Sequence, residues 1–186
     1  MYPVLAISGY KPHELGIYNE KHVQLDHLKY AIKKKLQELV EEFGIQWILT
    51  SGQPGVELWA AEAAIGLKEM YPIKVATLAP FYEQQERWSD PVKELYTYIW
   101  EQSDYNDYIS KRKYEHSSQL RQKNQFIIDK SDAFLVLYDE HLEGSPSFYL
   151  NYAKKREAVS DFPIFYLTPD DIEDVIRESQ EENNWN

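Results

Sequence analysis

Apolar residues fall along this chain in two alternating patterns. Short, mostly apolar runs occur at Val4-Leu5-Ala6-Ile7 and at residues 45–50, 73–78, 133–138 and 162–167. Runs of that length, bounded by proline, glycine or polar residues, predict strands buried on both faces. Between them the apolar positions recur every three or four residues, as on one face of a helix. Leu25, Leu28, Ile32, Leu36, Leu39 and Phe43 make the clearest such face, with Lys33-Lys34-Lys35 on its solvated side and Gly44 where a helix ends. Further helices are predicted over about 55–69, where Leu58, Ala61 and Ile65 face inward and Pro72 is the stop, and from the polar, aromatic stretch 81–88 through Trp100. Others are expected over about 115–130, from Gly144-Ser145-Pro146, and from Pro169 into an acidic tail of about 170–186 that frays.

Five strands alternating with helices predict an α/β fold: a Rossmann-like three-layer sandwich, mainly parallel and five-stranded, in a single domain over 1–186. Right-handed crossovers place every strand-to-helix loop on one edge of such a sheet. Ligands bind there, outside the carboxyl ends of strands and where the strand order reverses. Three loops on that edge are distinctive: Ser8-Gly9-Tyr10, Ser51-Gly52-Gln53-Pro54-Gly55, and Tyr138-Asp139-Glu140 through Gly144-Ser145. In the second of these, a strand, a glycine turn and a helix start follow one another. That arrangement gathers backbone N–H groups and a positive dipole end, which suits an anion. A turn that merely needs its glycines is the competing explanation.

Charge narrows the partner class. Net charge is −11, which repels a phosphate backbone unless positive charge is gathered locally. Residues 111–123 do gather Lys111, Arg112, Lys113, Arg121 and Lys123 against Glu115 alone. Nucleic acid is therefore disfavoured as a partner, whereas a small anionic ligand is not. Tyr96, Tyr98, Trp100, Tyr105, Tyr108 and Tyr114 could stack bases, but the acidic residues among them favour packing. With no cysteine, disulfide, thiolate and zinc–thiolate chemistry are excluded. The histidines show no metal-ligand spacing, and no apolar run approaches the ~20 residues that span a bilayer. The first residues lack the basic region of a signal peptide, so a cytoplasmic protein is expected.

Four ordered blocks carry a family resemblance over nearly the whole chain. They are Ser8-Gly9-Tyr10-Lys11-Pro12 with Glu14-Leu15-Gly16; Ser51-Gly52 through Ala61-Glu62; Pro80-Phe81 with Glu83-Gln84 and Trp88; and Asn124-Gln125-Phe126 through Tyr138-Asp139-Glu140 with Gly144-Ser145. In these the chain resembles the YpsA-like family (DUF1273, UPF0398), a bacterial branch of the SMF/DprA–LOG superfamily. The resemblance implies a Rossmann-like fold and a pocket for a nucleotide or a nucleotide-derived, ADP-ribose-like ligand. It also implies, for the branch, a link to cell division in Gram-positive bacteria. Some superfamily relatives are phosphoribohydrolases and others bind DNA. The hydrolase pattern is incomplete here: Tyr138-Asp139-Glu140 stands where those relatives have Pro-Gly-Gly, and no glutamate follows Ser145 in the next turn. Lys123 holds the place of their arginine.

The expected ligand-binding residues are Ser8, Gly9, Tyr10, Ser51, Gly52, Gln53, Gly55, Glu57, Trp59, Pro80, Phe81, Lys123, Asn124, Asp139, Gly144 and Ser145. Gly52 and Gly55 would let backbone N–H groups approach a phosphate, and Lys123, with Arg121 nearby, would supply charge. Glu57 could hold ribose hydroxyls, polarise a water, or simply favour the helix start. Trp59 could cover a base, but core packing is the stronger reading. Asp139 and Glu57 are the candidate carboxylates for any N-glycosidic cleavage. No cofactor is required beyond a bound nucleotide derivative, and no metal. Three functions compete: a nucleotide-binding sensor or regulator, a hydrolase of N-glycosidic bonds, and a DNA- or protein-interaction module; protein partners and a homo-oligomer stay open.

Overall fold

The computed structural model describes every residue from Met1 to Asn186. Its six strands are β1 (Val4–Ser8), β2 (Trp47–Thr50), β3 (Lys74–Ala79), β4 (Tyr105–Tyr108), β5 (Ala133–Leu137) and β6 (Ile164–Leu167). They form one all-parallel sheet in the order β4-β3-β2-β1-β5-β6. The helices are α1 (Val23–Phe43), α2 (Val56–Leu67), α3 (Asp90–Gln102), α4 (Ser118–Asp129), α5 (Pro146–Glu157) and α6 (Pro169–Asn184). One 3-10 turn, Pro12–Leu15, sits inside the 9–22 loop.

The sheet thus has six strands, not five. The additional one, β4, reads Tyr-Asn-Asp-Tyr and carries no apolar run, because it is an edge strand. Its Tyr105 and Asn106 are exposed, and it pairs with β3 in the register Ala76↔Tyr105 and Leu78↔Asp107. Edge strands tolerate polar residues and charge, which also block pairing with other chains. The remaining strands follow the apolar runs.

Strand side chains alternate between two cores. Leu5, Ile7, Ile48, Val75, Leu135 and Leu137 face the layer of α1 and α2, with Leu25, Leu28, Ile32, Leu36 and Leu39 of α1 against them. Ala6, Leu49, Ala76, Phe134 and Val136 face α4 and α5, meeting Ile127, Ile128, Tyr149, Leu150 and Ala153. A smaller cluster joins Leu58 and Ala61 of α2 to Tyr96 and Ile99 of α3. Helices α3 and α6 therefore share the α1–α2 side. The acidic C-terminal segment does not fray: it is helical to Asn184. Thr168 and Asp171 fix its start by a reciprocal capping box, although no α6 residue is fully buried. No helix is long and apolar enough to cross a membrane.

The order reverses at β1, whose neighbours β2 and β5 lie on opposite sides. In open α/β sheets ligands bind in the crevice at such a reversal, which here lies outside the carboxyl ends of β1 and β5.

Candidate ligand-binding site

At the carboxyl edge, β1 ends in Ser8 and β2 in Thr50, with Ser51 next. Glu57, in the first turn of α2, folds back under both ends. Its Oε1 accepts from Thr50 Oγ1 (3.1 Å), Ser51 N (2.8 Å) and Ser51 Oγ (2.6 Å), and its Oε2 from Ser8 Oγ (2.9 Å). The residue is 0% exposed. Its carboxylate is thus a clamp joining two strands and a helix, with one oxygen already serving three donors. Neither a ribose hydroxyl nor an attacking water reaches a free lone pair on that oxygen. Ser8 and Ser51, expected to meet ligand, spend their hydroxyl protons on this clamp.

The turn above the clamp needs Gly55. Its φ is +92°, and a Cβ there would lie 2.4 Å from the backbone oxygen of Tyr10. This close passage lets Val56 N donate to Tyr10 O (3.1 Å), satisfying one of the unpaired N–H groups at the start of α2. The N–H groups of Glu57 and Leu58 find no acceptor in the chain. Gly52 and Gln53 lie in the same turn: Gly52 N donates to Thr50 Oγ1 (3.1 Å), and Gln53 Nε2 stands 3.5 Å from Gly9 O.

Lys123 reaches this place from α4. It is 4% exposed, its Nζ donates to Tyr149 Oη (3.1 Å) and lies 4.6 Å from the centre of that ring. Tyr149 Oη donates in turn to Ser51 Oγ (3.4 Å), which donates to Glu57. Every donor in this chain therefore points from Lys123 toward the Glu57 carboxylate. Burial lowers the Lys123 pKa to about 8; the Glu57 charge opposes that shift and the Lys11 ammonium adds to it. Burial likewise holds the Tyr149 hydroxyl well above its ordinary range, with the Glu57 charge contributing. No carboxylate lies in ion-pair contact with Lys123. The residue after it in α4, Asn124, has a buried Oδ1 with no hydrogen-bond partner, a cost normally avoided. Arg121, by contrast, is exposed and donates to Ser117 Oγ (3.3 Å), so it is not part of this cluster.

The loops after β1 and β5 are tied together. Tyr10, 0% exposed, donates its hydroxyl to Leu142 O (2.7 Å) and accepts from Asp139 N (3.0 Å). The Asp139 carboxylate accepts from His141 N (2.9 Å), so it closes its own turn. Ser145 donates its N–H (2.8 Å) and hydroxyl (2.7 Å) to Glu14, which also accepts from Lys11 N (2.8 Å). Burial raises the Glu14 pKa, but these donors and Lys11 outweigh it and hold the group below the usual carboxylate range. Both Ser145 donors are thus engaged within the chain.

Three expected residues sit apart from this cluster. Trp59, 7% exposed, belongs to the core beside α1, where it fills space between helices. Pro80 is buried at the end of β3, its carbonyl accepting from Ser110 N (3.1 Å). Phe81 packs on Tyr114 with ring centres 5.2 Å apart. The basic run is neutralised in place: Lys111 with Asp107 (3.7 Å), Arg112 with Glu115 (3.6 Å), and Lys113 with Glu83 (2.8 Å). Four partners escaped the sequence reading as site residues: Glu14, Thr50, Gln84 and Tyr149. Gln84 donates to Ser51 O (2.9 Å) and so braces the turn from β3. Of these, Tyr149 had a legible signal, since it precedes Ala153 by one helical turn on the buried face of α5.

The family model named YpsA, described as the "YspA SLOG family", matches residues 5–172, a span that contains the whole cluster. The chain belongs to the YpsA family. It is 50% identical over 176 residues to UPF0398 protein YpsA of Bacillus subtilis, covering 94% of this chain and 97% of that one. It is 46% identical to a UPF0398 protein of Halalkalibacterium halodurans over 178 residues, 95% of this chain and 94% of the other. Among solved structures, DNA processing protein A of Helicobacter pylori superposes with a TM-score of 0.55 at 17% identity, over 88% of this chain. The Streptococcus pneumoniae protein gives 0.52 at 15%, over 97%. This YpsA-family chain spans 64% and 56% of the lengths of those two, so the likeness concerns the fold of one part of each.

Proposed function

We propose that this protein binds a nucleotide or nucleotide-derived ligand of the ADP-ribose type and acts through that binding as a bacterial sensor or regulator. One observation carries the reading. The unpaired N–H groups of Glu57 and Leu58 and the buried Lys123 ammonium, which no carboxylate contacts, are assembled around one turn at the carboxyl edge of the sheet. Helix N-termini and buried cations both favour a negatively charged group. Lys11, whose charge reaches Lys123, raises the local positive potential further. The unsatisfied Asn124 Oδ1 leaves an acceptor for a donor on the ligand.

The geometry supports binding above hydrolysis. Both Glu57 oxygens already accept from Ser8, Thr50 or Ser51, and one Asp139 oxygen accepts from His141 N of its own turn. A general base needs hydrogen-bond reach to a substrate proton. The test is a thermal-shift panel of AMP, ADP, ADP-ribose and NAD, paired with mass spectrometry of small molecules released on denaturing the purified protein. A raised midpoint with at least one adenine nucleotide is expected; no shift with any of them at millimolar concentration overturns the reading.

Single-stranded DNA is the second reading, since the H. pylori neighbour is described by its single-stranded DNA binding mode. Exposed Tyr82, Tyr105 and Tyr114 lie on the β4 side with Lys111 to Lys113, and such aromatics can stack bases. Against it stand the net charge of −11 and the acidic partners of all three cations. Salt-sensitive retention of single-stranded DNA, lost on replacing Lys111, Arg112 and Lys113 by Ala, would establish it in place of the first.

A further inference from the structure

The β1–β5 crevice is closed by the chain itself. Two clefts flank it. One, of about 680 Å³, runs between the start of α1 and α6, floored by Leu28, Leu137 and Ile172, with His27 and Arg177 also lining it. The other, of about 530 Å³, lies at the start of α5 beside Tyr138, Gly144 and Phe148. Each falls within the ~300–1,000 Å³ typical of small-molecule sites. Tyr10, Glu14 and Leu142 line both, so they form the partition between them.

The partition has a fixed part and a part held by charge. Tyr10 is fully buried and pinned by its two backbone partners. Glu14 is different: it belongs to the turn Pro12–Leu15, which has no buried residue and ends at Gly16 in a left-handed conformation (φ +70°). Its carboxylate is seated at the first turn of the 12-residue helix α5 by Ser145 N and Ser145 Oγ. Position 144 is shaped for that carboxylate, because a Cβ there would lie 2.1 Å from Glu14 Oε2. A carboxylate in this place presents the same charge and acceptors as a phosphate oxygen.

We propose that Glu14 is a displaceable internal anion, and that the Pro12–Leu15 turn is a strap which an incoming anionic ligand must lift from Ser145. This rests on the ligand-binding reading given above. The free chain holds the strap down, and one phosphate of a diphosphate ligand competes with Glu14 for the Ser145 donors, while the other faces the start of α2, against which Pro12 of the same turn packs at Gly55. Lifting the turn joins the two clefts across Leu142. The joined trough suits a two-armed ligand with its charge in the middle, such as a nucleoside diphosphate sugar. Apparent affinity is then reduced by the fraction of molecules in which the strap is closed.

The test compares ADP-ribose binding by calorimetry to the full chain, Glu14→Ala and Glu14→Gln. With the internal competitor removed, Glu14→Ala should bind about tenfold or more tightly than the unmodified chain, with Glu14→Gln between them. Glu14→Gln keeps the shape of the side chain, so it serves if Glu14→Ala is poorly folded. Amide exchange at Ser145 adds a readout without ligand, and it should quicken in both variants. Equal affinity in all three chains refutes the strap while leaving the ligand reading standing. Absence of binding by all three refutes both.

Discussion

Lys123 offers the sharpest physical prediction, because its buried ammonium costs stability in the absence of ligand. The pKa falls from 10.5 to about 8. Taken at about 1.4 kcal/mol per unit, that difference is roughly 3 kcal/mol. In the folded chain the amine gives up its proton as pH passes about 8, whereas in the unfolded chain it keeps it to 10.5. Between those values the unfolded chain binds more protons, so this group makes stability rise with pH; below them the whole penalty applies. Lys123→Met keeps the volume and removes the charge. It should therefore be more stable than the unmodified chain relative to its own value at high pH. That advantage should shrink by roughly 2 kcal/mol between about pH 7 and pH 9.5. Urea unfolding of both chains at several pH values gives the difference curve directly. Tyrosines held above their ordinary range by burial, Tyr10 and Tyr149 among them, enter both curves. A flat difference curve, or an advantage that grows with pH, would refute the account of a strained ammonium. A destabilising side chain at a pocket is the expected trade of stability for binding.

Two further substitutions separate scaffold from site. Glu57→Gln places an amide among four donors at 2.6–3.1 Å and removes the charge opposing the Lys123 shift. We expect a loss of about 2–4 kcal/mol in chemical denaturation, partly recovered in the Glu57→Gln/Lys123→Met double variant; a midpoint equal to the parent's would mean the clamp is not structural. Gly55→Val looks in sequence like a clean test of phosphate binding, yet its Cβ would meet Tyr10 O at 2.4 Å in a backbone region closed to valine. It should lower stability by at least about 2 kcal/mol, so loss of ligand binding in that variant counts only if circular dichroism and the thermal midpoint are unchanged, which this reasoning excludes.

Much of the architecture was legible because a parallel sheet buried on both faces leaves unbroken apolar runs, as at Ala133-Phe134-Leu135-Val136-Leu137. The edge strand β4 left none, since Tyr105 to Tyr108 bury little and answer only to pairing with β3. The three loops were rightly placed on one edge by topology alone. Their internal wiring was not legible. Nothing in the spacing of Ser8, Thr50, Ser51 and Glu57 says that all four donors converge on one buried carboxylate. Likewise Glu14 and Ser145 are separated by 131 positions, and only the fold brings them into contact. Periodicity places Asn124 on a buried helix face, as found, but cannot show that its oxygen is left unpaired.

The central claim is that Lys123 and the start of α2 hold the anionic part of an adenine-nucleotide ligand. Isothermal titration of ADP-ribose into the full chain and into Lys123→Met at about pH 7 tests it most directly. The account predicts saturable binding by the parent chain and at least roughly tenfold weaker binding by the variant, the loss expected for one charge-assisted contact. Equal affinities, or no heat from the parent chain at millimolar ligand, would contradict it.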